Sequence, residues 1–146
     1  MEILEFNGEG IKFQYLSNWR QQNPAAFGAN CILSLVKVMD GNPSTITVSK
    51  SDAGGVVAIA GIQESMEKSF EGQGWSILDS KILNLNGHPV LFIVSNAEDG
   101  GRVLVNKTTF AINNGIMYIF ELMHFKEFPH AYDDYLNMLN SLEFTQ

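Results

Sequence analysis

Nucleophilic catalysis needs a nucleophile held beside a base, and the chain has a single thiol, Cys31. It stands in the apolar run Cys31-Ile32-Leu33 with no neighbour in sequence to lower its pKa, so it reads as a small core hydrophobe. No Gly-x-Ser-x-Gly elbow serves a serine hydrolase. His130 and Asp134 lie four residues apart, so they can meet on the outward face of a helix. A zinc site takes three or four ligands, and two exposed groups make a surface pair worth only ~0.2–0.5 kcal/mol. Glu98-Asp99-Gly100 has the start of a calcium loop without its spaced acids or terminal glutamate, and reads as a turn. Asp52-Ala53-Gly54-Gly55-Val56 could offer backbone N–H groups to a phosphate at a helix start, but lacks a following Gly-Lys-Ser/Thr. Asp52 reads there as a helix cap. The sequon Asn106-Lys107-Thr108 has meaning only in a secreted chain. Catalytic, cofactor-binding and metal-ligating residues are therefore expected to be absent.

Binding chemistry has better candidates. Glu121 shares a strand face with Met117, Ile119, Met123 and Phe125. A buried, unpaired carboxylate is expensive, so it must reach an edge, a partner or solvent, as a salt-bridged or sheet-rim residue or as a pocket acid. Phe125 and Phe128 flank the loop Phe125-Lys126-Glu127-Phe128-Pro129; they pin the last helix to the sheet or, if exposed, form a binding edge. Glu64, Glu67 and Glu71 fall opposite the apolar stripe Ile59, Ile62, Met66 and Phe70, with Lys68 the lone cation among them. That acidic helix face suits solvent or a basic partner.

These side chains must be positioned by one 146-residue chain, 45% hydrophobic and 11% aromatic, which suits a single domain over 1–146. Sixteen Asp and Glu against nine Lys and Arg leave a net charge of -7. So acidic a chain is a poor ligand for nucleic acid, and no basic cluster marks a membrane surface. No apolar run reaches the ~18–20 residues of a membrane span. The opening Met-Glu-Ile-Leu-Glu-Phe is no signal peptide, and one cysteine allows no internal disulfide; a soluble, cytoplasmic protein is expected.

The elements follow from periodicity and turn chemistry. Residues 3–6 and Ile11, Phe13, Tyr15 flank the turn Asn7-Gly8-Glu9-Gly10 and form a hairpin. Ser17-Asn18-Trp19 caps a short helical turn before Pro24. Residues 31–39 and 45–49 form a second hairpin around Asp40-Gly41-Asn42-Pro43. The spacing of Ile59, Ile62, Met66 and Phe70 predicts a helix over 56–71, ended by Gly72 and Gly74. Strand-like runs at 75–85, 90–95, 102–112 and 116–125 are divided by Asn86-Gly87, Asp99-Gly100-Gly101 and Asn113-Asn114-Gly115. Connections so short permit only antiparallel pairing. Residues 90–94 and most of 116–125 are apolar on both faces, so both faces of the sheet need cover. A last helix over 129–142, with Pro129 at its first position, presents Tyr132, Tyr135, Leu136, Leu139 and Leu142 to the sheet, and Asp133, Asp134 and Asn137 away from it.

This order of elements resembles the PsbP-like family. The likeness begins at Gly10-Ile11-Lys12-Phe13-Gln14-Tyr15-Leu16-Ser17-Asn18-Trp19, where Leu16 stands at the family's usual proline. It continues at Asn86-Gly87-His88-Pro89 before a buried strand. It closes at Asn114-Gly115-Ile116-Met117-Tyr118-Ile119 and the helix ending Leu139-Asn140-Ser141-Leu142-Glu143-Phe144. The resemblance implies an α+β domain with a central antiparallel sheet flanked by helices on both faces, an α/β/α sandwich. It also implies members that mostly bind or assemble with other proteins and share no active site, so it assigns no functional residue. The expected function is a non-catalytic protein-binding or assembly module. A small apolar ligand or lipid carrier and an enzyme of unknown class are the alternatives. The candidate interaction residues are Glu64, Glu67, Glu71, Phe125 and Phe128.

Overall fold

A computed structural model describes residues 2–146. The elements run β1 (Ile3–Gly8), β2 (Ile11–Leu16), β3 (Arg20–Gln22), β4 (Cys31–Met39), β5 (Asn42–Asp52), α1 (Gln63–Gly72), β6 (Ser76–Leu85), β7 (His88–Asp99), β8 (Arg102–Asn113), β9 (Ile116–Phe125), α2 (Ala131–Asn140) and β10 (Glu143–Phe144), with 3-10 turns at Pro24–Phe27 and Ile59–Ile62. Every strand pairing is antiparallel.

Glycine and asparagine set the hairpins. Five of them close through two-residue turns with positive φ at both central positions: Glu9-Gly10, Asp40-Gly41, Asn86-Gly87, Gly100-Gly101 and Asn114-Gly115. That is the type I′ turn, whose twist matches the flanking strands and whose dihedrals favour Asn, Asp and Gly. Gly10 is constrained twice. Its φ is +87, and a Cβ there would lie 2.5 Å from the Tyr118 hydroxyl, which donates to the Glu9 carbonyl at 2.6 Å. Gly10→Ala is therefore expected to destabilise the fold by roughly 1–3 kcal/mol; thermal melts of the two proteins check it, and an unchanged midpoint would refute the close approach.

The strands form a seven-stranded sheet, β3-β4-β5-β9-β8-β7-β6, and a three-stranded one, β1-β2-β10. After β5 the chain crosses to the far edge through the 59–62 turn and α1. It then returns as the meander β6–β9, and β9 lands beside β5 in the middle of the sheet. Alternation along β9 divides the core in two. Tyr118, Phe120 and Leu122 join Ile11, Phe13 and Tyr15 of β2 and Tyr135, Met138 and Leu139 of α2 on one face. Ile119 and Met117 join Phe110, Leu91, Ile93, Ile59 and Ile62 on the other, with Met66 and Phe70 of α1 packed on them. Each large side chain buried in these clusters contributes about 1.5–3 kcal/mol.

The architecture is mostly antiparallel sheet with two short helices, and the helical cover is less than expected. The first helix starts at Gln63 rather than 56; residues 59–62 wind as a 3-10 turn, and no side chain caps α1 at Ile62. The β-branched Val56, Val57 and Ile59, together with Gly61, disfavour a longer helix. The second begins at Ala131, beyond Pro129, and stops at Asn140, because Glu143 and Phe144 pair with Lys12 and Ile11. Ser17-Asn18-Trp19 forms a turn into β3 rather than a helical one. On the second face α1 packs on β6 and β7 and the 24–27 turn on β4. Between them Thr45, Thr47 and Ser49 of β5 and Ile119, Glu121 and Met123 of β9 stay half-buried.

Candidate functional site

Chemistry-bearing groups gather in three places. The first is the half-covered stretch of sheet around Glu121. Register places Thr47 and Thr108 on either side of Glu121, and Ser34 beyond Thr47. Thr45, Met123, Asn106 and Ser95 form the next row. The Asn106 side chain hydrogen-bonds the Glu121 carboxyl, while burial pushes its pKa up. Thr108 donates to Asn106 Oδ1, and the buried Ser95 hydroxyl has no partner. Among the described residues no Lys or Arg pairs with Glu121. Of the places open to this carboxylate, the rim is excluded, since β9 is the fourth of seven strands.

The second lies across the sheet, one residue away in register. Lys107 Nζ sits 3.1 Å from His124 Nε2 and 3.8 Å from the Tyr132 ring centre. The other ring nitrogen, Nδ1, donates to the Phe125 carbonyl at 2.8 Å, which leaves Nε2 to accept from the ammonium. Burial lowers the pKa of Lys107, and it lowers that of the buried His124, further depressed by Lys107 and His130. The aromatic face and the imidazole lone pair here replace a carboxylate partner.

The third is the β6 edge. Leu85 and His88 flank the Asn86-Gly87 turn and pair with each other, so they exchange both backbone hydrogen bonds. Alternation then turns the N–H and C=O of Leu83 and Lys81 toward β7, and those of Asn84, Ile82 and Ser80 outward. Gln63 Nε2 from α1 donates to the outward Ser80 carbonyl at 3.3 Å; the backbone groups of Ile82 and Asn84 remain open to an added strand. Leu78 (59% exposed), Ile82 and Leu83 (41% each) are large apolar residues on this one strand. On the α2 side of the edge a slot of about 190 Å³ opens between Leu83, Leu85, Phe92, Tyr132 and Leu136.

The residues singled out by sequence scatter among other duties. Glu64 pairs with Lys68 at 2.9 Å and Glu67 accepts from the Ser80 hydroxyl, so only Glu71 of the three acids has no partner among the described residues. Phe125 and Phe128, both half-buried, hold the Arg102 guanidinium 3.7 Å and 5.9 Å from their ring centres, and that guanidinium donates to Asn42 Oδ1 at 2.8 Å. Asp134, expected to face away beside His130, turns inward: its Oδ2 accepts from Trp19 Nε1 and Lys37 Nζ, each at 3.0 Å. Asp52 caps no helix; its carboxylate accepts the Gly54 N–H at 2.7 Å in the loop. Cys31 is buried with its thiol against the Leu33 carbonyl. Neither the β6 slot nor the Lys107–His124 contact was visible in sequence; the adjacent apolar residues Ile82 and Leu83 on a turn-bounded strand were the available signal.

A wide cleft of about 750 Å³ opens where the β6–β7 turn meets the end of α2, but its polar groups are occupied. Asn86 Nδ2 donates to the Asn140 and Leu142 carbonyls, Asn113 Nδ2 to that of Gln146, and His88 Nε2 lies 2.8 Å from the Ile112 oxygen. Among the described residues no three of His, Cys, Asp and Glu converge as a metal site would require, and no helix is long and apolar enough to cross a membrane.

No protein-family model matches the chain and no curated protein matches it by sequence. Its backbone nevertheless has the PsbP-like fold. The solution structure of cyanobacterial PsbP (CyanoP) from Synechocystis sp. PCC 6803 superposes with a TM-score of 0.73 at 11% identity, over 97% of this chain and 92% of that one. LpqN of Mycobacterium tuberculosis, described as involved in cell envelope biogenesis, gives 0.65 at 15% identity over 99% and 91%. PA94 of Pseudomonas aeruginosa, a protein of unknown function, gives 0.64 at 13% identity over 97% and 96%.

Proposed function

We propose that this domain is a non-catalytic protein-binding module that receives an extended segment of a partner along β6, one apolar side chain entering the slot beneath α2. The supporting observation is the coincidence of open backbone groups at Ile82 and Asn84 with an apolar slot beside them. Strand addition supplies affinity through the main chain and specificity through pockets for alternate side chains. A slot of about 190 Å³ holds one side chain, short of the ~300–1,000 Å³ of typical small-ligand sites, which favours a protein segment over a carried lipid. This surface is preferred to the acidic α1 face, whose Glu64 and Glu67 already have partners.

The test is selection of short peptides from a random display library, followed by binding to variants. Ile82→Pro removes an outward N–H and no bond to β7, a replacement edge strands tolerate. It is expected to abolish binding of the selected apolar peptides while the far-ultraviolet dichroism stays native. Leu83→Asp is expected to do the same by charging the slot. Peptides that bind Ile82→Pro as well as the parent would exclude strand addition.

A further inference from the structure

We infer that the sheet face around Glu121 is a second recognition site, taking a basic side chain, arginine or lysine, presented by a protein partner. This goes beyond the β6 reading and rests on different residues. Glu121 is a carboxylate on a central strand, held by one amide and two flanking threonine positions, with no cation paired to it among the described residues. A half-buried charge of this kind is a standing electrostatic vacancy that an opposite charge would fill.

The apolar surroundings define the rest of the ligand. Ile119 and Met123 flank Glu121 on the same face and are half-buried, a surface for the methylene stem of a long basic side chain. Below Ile119 the floor continues into a hollow of about 300 Å³ walled by Phe27 and Ser49, room for the residue adjoining the basic one. The stretch is open over β5 and β9, whose residues there are half-buried, while α1 packs on β6, β7 and Phe110 of β8, the 59–62 turn on β7 and β8, and the 24–27 turn on β4. A free amine would be poorly enclosed there, whereas a side chain carried on a protein surface brings its own walls.

The site can be probed without knowing the partner. The probes are a blocked Gly-Arg-Gly tripeptide, its citrulline counterpart (the same shape without the charge) and free agmatine, each titrated while the Ile119 and Met123 methyl resonances are followed. The arginine peptide is expected to move these methyls saturably in the millimolar range, with affinity reduced on the order of tenfold for citrulline and for Glu121→Gln. Ile82→Pro should leave the response intact, so failure here and failure of the β6 reading are distinguishable. Equal shifts from the citrulline peptide, equal shifts in Glu121→Gln, or no saturable shift up to about 10 mM would overturn the inference. Agmatine binding as tightly as the peptide would make this a small-cation pocket and overturn the protein-partner assignment.

Discussion

Replacing Tyr135 by alanine is expected to destabilise the domain by about 3–5 kcal/mol, the range for deleting a large aromatic from a packed core. Tyr135 is fully buried under the sheet; its hydroxyl donates to the Phe120 carbonyl and lies 2.8 Å from Thr109 Oγ1. Burial holds that phenol far above the ordinary tyrosine range, so it stays neutral and keeps its proton for Phe120. Tyr135→Phe separates the two contributions. It retains the ring, loses the hydroxyl, and leaves the Thr109 side chain short of a partner, for an expected ~1–3 kcal/mol. Denaturant melts of both variants decide: a phenylalanine variant as stable as the parent would mean the hydroxyl network adds nothing to α2 docking.

Acidification is expected to weaken the fold through His124, against a counter-current from Glu121. Burial and Lys107 lower the folded pKa of His124 below its unfolded 6.5. Between those two values the unfolded chain binds more protons, so stability falls as pH drops below about 6.5, by up to ~1.4 kcal/mol per pH unit for one proton. Glu121 has the opposite sign. Its folded pKa is raised above 4.5 by burial, so the folded state takes up its proton first and gains stability as pH falls through that raised value. Glu121→Gln should therefore steepen the acid loss while raising the neutral-pH melting temperature, on the order of 2–4 °C. His124→Gln should flatten the profile just below pH 6.5. A melting temperature in the His124→Gln variant that declines over that interval as steeply as in the parent would show that His124 does not control it.

A Glu121→Gln variant more stable than the parent would be the behaviour of a carboxylate placed for something other than folding, as the proposed recognition site requires. Lys107 is arranged differently, since an aromatic ring and an imidazole satisfy it internally.

Local chemistry was legible in the sequence, and distant pairing was not. The turns at Asn86-Gly87 and Asn114-Gly115 could be read because positive φ at consecutive positions restricts the residue types. The stripe Ile59, Ile62, Met66 and Phe70 could be read because periodicity reports the buried face, even where the backbone winds as a 3-10 turn over 59–62. Asp134 could not. Helical spacing put it outward beside His130, yet Trp19 and Lys37, which bind it, are 115 and 97 residues away in the chain. The solitary state of Glu121 was hidden for the same reason. Alternation fixes the face it occupies, and only the strand order shows that β9 is central and that Thr47 and Thr108 are its neighbours.

The three-stranded sheet also governs the order of assembly. Its middle strand, β2, is made before β3 to β9, whereas its partner β10 follows them in the chain. Thr145 donates to the Gly10 carbonyl at 2.9 Å, and Glu143 and Phe144 oppose Lys12 and Ile11. A nascent chain can thus close its hairpins locally and early, but one edge of β2 waits for residues 143–145. On the ribosome that edge is a temporary adhesive surface, so any delay between the making of β2 and of residues 143–145 would lengthen the interval in which two growing chains can stick together.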